Sequence, residues 1–141
     1  MKCRDNRLVK EYWLKIKEVS QEVDIVPFGI FERTYMDPQS EVLFLDGAIF
    51  RISNIVRGHK AELHGYIFSH ESLGQIKKFQ YMLDVVCDRY SLHRVECVVD
   101  KNNKGLQRLL KVVQFKNEGI RENGVFLNGL CIEGIGYAYI R

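Results

Sequence analysis

The sequence predicts an α+β fold with a mixed sheet and helices packed on it. Three observations carry this reading. Asp46-Gly47 sits between the apolar runs Val42–Leu45 and Ala48–Ile52, a strong hairpin signal. Residues 61–99 change period from strand to helix and back. The chain then ends in a short amphipathic helix and two further strand-like stretches.

The elements follow in order. Val9, Tyr12, Trp13, Ile16 and Val19 recur at helical spacing and predict a helix over 6–20, with Asp5 or Asn6 as its cap. Val23, Ile25 and Phe28 suggest extended structure over 23–35, punctuated by Pro27 and Gly29. Residues 36–40 read as a loop. After the hairpin, residues 57–60 make a turn and 61–69 a strand. Ile76, Phe79, Leu83, Val86 and Tyr90 line one face of a helix over 73–90. Ser72 and Gln75 have the spacing of a capping box, which puts the helix start near Leu73. The β-branched stretch 94–99 is the next strand, expected to lie parallel to 61–69. Asn102 or Asn103 caps a helix with Leu106, Leu109, Leu110 and Val113 as its stripe. Two strands, 116–121 and 126–140, are expected to join at an Asn123-Gly124 turn.

The 141 residues suit one domain, 1–141, with no repeat and no linker. A net charge of +3 argues against a nucleic-acid binder. Cys3, Cys87, Cys97 and Cys131 form no C-x-x-C pair and read as reduced, partly buried thiols of a cytoplasmic protein. The histidines His59, His64, His70 and His93 have no ligand spacing with them, so no metal is expected. No apolar run is long enough to span a membrane, and the N-terminus lacks a signal-peptide core.

Residues 92–119, LHRVECVVDKNNKGLQRLLKVVQFKNEG, resemble the later half of GNAT-superfamily acetyltransferases, especially those acting on ribosomal-protein N-termini. Leu92-His93-Arg94-Val95, Asp100, Asn103, Phe115 and Glu118-Gly119 match the group's pattern without gaps, although Gln114 replaces a glycine. Ala61-Glu62-Leu63 resembles the start of the family's central strand. The resemblance implies a GNAT-like mixed, mostly antiparallel sheet, splayed around a cofactor wedge between strands 61–69 and 93–99, with helices on both faces. It also implies acetyl-CoA as co-substrate and direct transfer of its acetyl group to a primary amine on a protein or small molecule. The alternative is an inactive GNAT-like scaffold serving as a binding or structural module. A homodimer paired through the last strand is a further expectation.

Glu62 and His64 share one strand face and are the catalytic candidates, a carboxylate being able to deprotonate an incoming ammonium. Ile67, Phe68, Ser69, Ser72, Leu73, Gly74, Gln75 and Asn103 are the cofactor-binding candidates that the resemblance implies. The expected loop, His70–Gln75, keeps a single glycine and places Glu71 where a diphosphate would lie. If Glu71 points inward, two unit charges ~5 Å apart repel by roughly 3 kcal/mol at an effective dielectric near 20. The family often has a general-acid tyrosine where Leu110 stands, so that role is vacant or filled elsewhere; Tyr137 and Tyr139 are candidates to substitute, and ordinary strand aromatics is the alternative reading of both.

Overall fold

Asp5 opens the first helix by accepting a hydrogen bond from the Leu8 amide at 2.7 Å. That helix, α1, spans Asn6–Val19 and buries Val9, Tyr12 and Ile16. The structure is a computed structural model; it describes residues 4–19, 26–127 and 130–141, with Leu127 as backbone alone. Val23 and Ile25 therefore lie outside the described residues. Where extended structure was expected to continue, the chain forms a second helix, α2, Phe28–Tyr35. Pro27 does not break it, because it stands at the N-cap with φ −53°. Its missing amide is not needed there, and its carbonyl accepts from the Ile30 and Phe31 amides at 3.0 and 3.1 Å.

β1 (Glu41–Leu45) and β2 (Ala48–Val56) form the expected hairpin, with Gly47 at φ 84°. β3 (Lys60–Ile67) pairs antiparallel with β2. Gly65 is required by close approach, since an added Cβ would sit 2.3 Å from Phe50 Cδ1. A 3-10 turn, His70–Gln75, leads into α3, Ile76–Tyr90. The expected capping box is absent. The Ser72 hydroxyl donates to the Ser69 carbonyl at 3.0 Å, and Gln75 reaches across to Asp46. Gln75 donates to the Asp46 carboxylate and accepts from the Asp46 amide, both at 2.7 Å. The α-helix accordingly starts at Ile76 rather than near Leu73.

β4 (Arg94–Asp100) follows, then α4 (Lys104–Val112), capped by Asn103 Oδ1 on the Leu106 amide at 3.2 Å. β5 (Lys116–Leu127) and β6 (Leu130–Ile140) complete the sheet. Asn123-Gly124 is not the turn between them. β5 runs through it with Asn123 at φ 53°, and the register with β6 slips between Arg121 and Val125. An Asn-Gly pair suits a bulge for the same reason it suits a turn, namely tolerance of positive φ.

The strand order is β1-β2-β3-β4-β6-β5. Only β3 and β4 are parallel; every other neighbouring pair is antiparallel. α3 and α4 pack on one face with Phe50, Leu63 and Val95. α1 and α2 pack on the other with Phe44 and Ile49. This is the mixed, mostly antiparallel sheet with helices on both faces. From Gly134 to Ala138 both edges of β6 are occupied, by β4 and β5. Pairing across a dimer through that part of the last strand is therefore closed off; β5 is the edge strand. Cys87 and Cys97 are buried, whereas Cys131 is exposed, contrary to expectation; Cys3 lies outside the described residues. Among the described residues no helix is long and apolar enough to cross a membrane, and no His, Cys, Asp and Glu cluster could hold a metal.

Candidate active site

The site begins where β3 and β4 part. They pair only at Lys60–Arg94, Ala61–Val95 and Glu62–Glu96. Beyond Glu62 and Glu96 the strands continue, but β4 turns its hydrogen bonds to β6 alone. A wedge opens between two strand edges whose backbone groups need other partners. Strand alternation decides which amides face it. The Phe68 amide points to the hairpin, donating to the Gly47 carbonyl at 2.8 Å, and the Ser69 amide joins the same acceptor at 3.1 Å. The amides of Leu63, Gly65 and Ile67 therefore point the other way, into the wedge. Of the expected donors Ile67, Phe68 and Ser69, only Ile67 has its amide on that side.

A cavity of about 280 Å³ lies at the far end of β3. Ile67, Phe68, Ser69, Ser72 and Leu73 line it together with His70, Gly105 and Arg108. Gly74, Gln75 and Asn103 do not line it. Gln75 is spent on Asp46 and the Asn103 oxygen on the α4 cap. Gly74 stands in open space, where a Cβ would touch nothing within 4 Å. Gly105 and Arg108 lie three residues apart on the first turns of α4, so one helix face brings both to the cavity. Gly105 also has no atom within 4 Å of an added Cβ. Its lack of a side chain keeps the cavity wall open rather than relieving any crowding. Glu71 is exposed and does not line the cavity.

Glu62 and His64 meet on the opposite face, next to α2. Glu62 Oε2 lies 3.7 Å from His64 Nε2 and accepts a hydrogen bond from the Asn54 side-chain amide. Asn54 is held at φ 49° beside the β2 bulge. The His64 side chain is half exposed, at 51%, and is held below its ordinary pKa of 6.5, first by partial desolvation and then by the Arg51 guanidinium; Glu62 opposes both. His64 lines two cavities. One, about 400 Å³, runs past Glu62, Glu96, Cys97, Val98 and Phe126. The other, about 340 Å³, lies under α2 and holds Tyr35, Arg51, Tyr66 and Cys97. Burial pushes the Cys97 thiol up to about 12, so it stays protonated.

The tyrosines considered as general acids are committed elsewhere. Tyr137 is buried and its hydroxyl pairs with Gln107 at 3.2 Å. Tyr139 donates to Asp84 at 2.7 Å. Leu110 is fully buried in the core. Asn54, Gly105 and Arg51 have no counterpart among the sequence candidates. An asparagine inside a strand, a glycine at a helix start and a lone arginine in an apolar strand were the available signals.

A mostly antiparallel sheet that splays after one short parallel pairing, with two helices on each face, is the fold that the resemblance to GNAT acetyltransferases implied. No family model and no curated protein matches the sequence. Solved structures do. The chain is similar to ribosomal-protein-S5-alanine acetyltransferase from Vibrio fischeri, at 15% identity and a TM-score of 0.77, over 96% of this chain and 87% of that one. It is similar to the microcin C7 self-immunity acetyltransferase MccE, solved with acetyl-CoA and AMP, at 12% identity and 0.78, over 97% and 89%. A spermidine N-acetyltransferase, SpeG, from Vibrio cholerae matches at 16% identity and 0.72, over 99% and 93%.

Proposed function

We propose that this chain is a single-domain, acyl-CoA-dependent N-acyltransferase of the GNAT type, moving an acetyl group from acetyl-CoA to a primary amine. The observation that carries it is the wedge. A donor cavity at Ile67, Gly105 and Arg108 lies at the end of the same strand that bears Glu62 and His64. The residues present suit acetyl-CoA. The open wall at Gly105 admits a chain, Arg108 and His70 supply positive or polar partners for phosphates, and Ile67 offers a wedge-facing amide.

Acetyl-CoA supplies an activated thioester. The amine nitrogen attacks its carbonyl carbon, a C–N bond forms and the C–S bond breaks. The sulfur leaves as the CoA thiol once it takes a proton. Before attack the acceptor ammonium must lose a proton, and Glu62 accepts it by way of water and His64. His64 suits a relay because its depressed pKa keeps it neutral at pH 7. Asn54 positions Glu62 by donating to Oε2, the oxygen that also faces His64. The Ile67 amide is the group available to polarise the thioester carbonyl. No side chain fills the family's general-acid place, so water protonates the thiolate.

The comparisons give no support to the alternative of an inactive scaffold. A cytoplasmic location and a homodimer belong to the same proposal. Isothermal titration with acetyl-CoA tests its centre. Binding in the micromolar range is expected; no heat at hundreds of micromolar overturns it.

A further inference from the structure

Arg51 is the unexplained residue of this site. It sits in the middle of β2, on the face covered by α2, directly opposite His64 in the strand register. Its guanidinium carbon lies 5.9 Å from the Tyr35 ring centroid. Its Nε is buried and has no hydrogen-bond partner among the described residues. Nor does any described carboxylate come within ion-pair distance of it. Asp37 is the acid on the adjoining walls, and its Oδ1 is turned back to the Gln39 amide at 2.9 Å.

Arg51 as a whole is half-buried, but its Nε is buried, and a buried polar atom without a partner costs stability. An apolar residue at 51 would pack against Tyr35 with no such penalty. The position is therefore better explained by a ligand than by the fold. Space for one exists. The cavity under α2, about 340 Å³, and two others of about 480 Å³ each all have Arg51 on their walls. The charge is felt there: it adds to the lowering of the His64 pKa and partly offsets the rise that burial imposes on the Tyr35 and Tyr66 phenols. A planar guanidinium with free N–H groups matches a carboxylate or phosphate in bidentate fashion.

We propose that the acceptor is a small amine carrying a carboxylate or phosphate group, and that Arg51 holds this anion beside His64. The inference rests on the acyl-transfer reading for the word acceptor, but not for the binding itself. Directly opposed strand residues have their Cβ atoms about 5 Å apart. The anion and the reacting amine are thus separated by only a few bonds, as in an amino acid or an amino-alkyl phosphate. A polyamine would instead place a second ammonium against Arg51.

The test is ligand-observed NMR on the wild-type chain and on Arg51→Met, which needs no turnover. The probes are glycine, β-alanine and phosphoethanolamine against glycinamide, β-alaninamide and ethanolamine. At least one acid is expected to bind tenfold more tightly than its neutral partner, and Arg51→Met is expected to abolish that preference. Carboxylates alone, or phosphoethanolamine alone, would identify the anion. Equal binding of acids and neutral partners, no binding by any acid, or an unchanged preference in Arg51→Met would overturn the proposal. Arg51→Met should melt no lower than the wild type, which separates lost recognition from lost folding. Acetyl-CoA is titrated in parallel. A chain that binds it but ignores the anions refutes only the Arg51 proposal, and the converse refutes only the transfer reading.

Discussion

Arg94 and Glu118 are joined by an ion pair that closes the resembling segment on itself. Arg94 also donates from Nε to Glu96 at 2.7 Å, and Lys60 stands 3.6 Å from the other Glu96 oxygen. The network ties β3, β4 and β5 together just below the point where the wedge opens. The two acids and two bases are partly exposed, so the pairs act as a network rather than as buried charges. Glu118→Gln should cost about 1 kcal/mol and lower the melting temperature by about 3 °C. Acetyl-CoA binding should not change. Hydrogen bonds from Arg94 hold the Glu96 carboxyl below its usual 4.5. A lowered acid stabilises the fold above its unfolded pKa and loses that as pH falls. The stability that Glu96 contributes should therefore decline as pH falls below about 4.5, and Glu96→Gln should remove that decline, read by thermal melts across pH.

Glu62 and His64 act as one unit in the proposed proton transfer, because 3.7 Å separates them and Asn54 fixes the carboxylate. Glu62→Gln keeps the shape and the Asn54 contact is reorganised only slightly. Its kcat should fall by about 10²-fold or more, in the range of a lost general base. The KM for acetyl-CoA should stay within about twofold, since the donor cavity lies elsewhere. Glu62→Gln with His64→Gln should be little worse than Glu62→Gln alone. Multiplicative losses in steady-state kinetics would argue that the two groups work separately.

Local signals were legible where they were also final. Asp46-Gly47, the Asn103 cap and the stripe of α3 depend on residues a few positions apart, and each lies where spacing put it. The failures have the opposite character. Gln75 left its capping position for Asp46, a partner 29 positions away. Pro27 read as a breaker, yet only its place at an N-cap decides whether a proline breaks or begins a helix. Asn123-Gly124 signalled positive φ, which was right, but a bulge and a turn share that need. At the site, alternation put Glu62 and His64 on one face. It could not say that α2 would roof Arg51, because α2 itself was not read as a helix.

The acidity of His64 gives a pH signature. Burial and Arg51 lower its pKa from 6.5, so the folded chain keeps it neutral where the unfolded chain begins to protonate. The sign is then fixed. This contribution to stability is complete above pH 6.5 and declines as pH falls from there through the folded pKa. His64→Gln should flatten that part of the melting profile between pH 7.5 and 5.5. The imidazole can be followed by NMR. Arg51→Met removes a positive neighbour and should raise the His64 pKa. An unchanged titration would mean that burial alone sets it.

The donor loop yields the sharpest contrast between sequence and structure. Glu71 was the residue expected to repel a diphosphate, by roughly 3 kcal/mol at close range. It is exposed and off the cavity wall, so solvent and salt screen it. Glu71→Gln should improve acetyl-CoA affinity by less than about threefold. Gly105 was not singled out, yet it forms the open wall. Gly105→Val places a branched side chain at a position with no neighbours within 4 Å, so the fold should accept it. β-Branching in a helix costs only about 0.5 kcal/mol, offset here by the loss of a helical glycine. The cavity, about 280 Å³ in all, should lose the room it needs, and the Kd for acetyl-CoA should rise at least tenfold. Arg108→Gln should weaken binding less and should flatten its salt dependence, because it removes charge but not shape. Calorimetry on the three variants decides the matter. A large gain from Glu71→Gln with no loss from Gly105→Val would move the diphosphate away from α4 and onto the 3-10 turn.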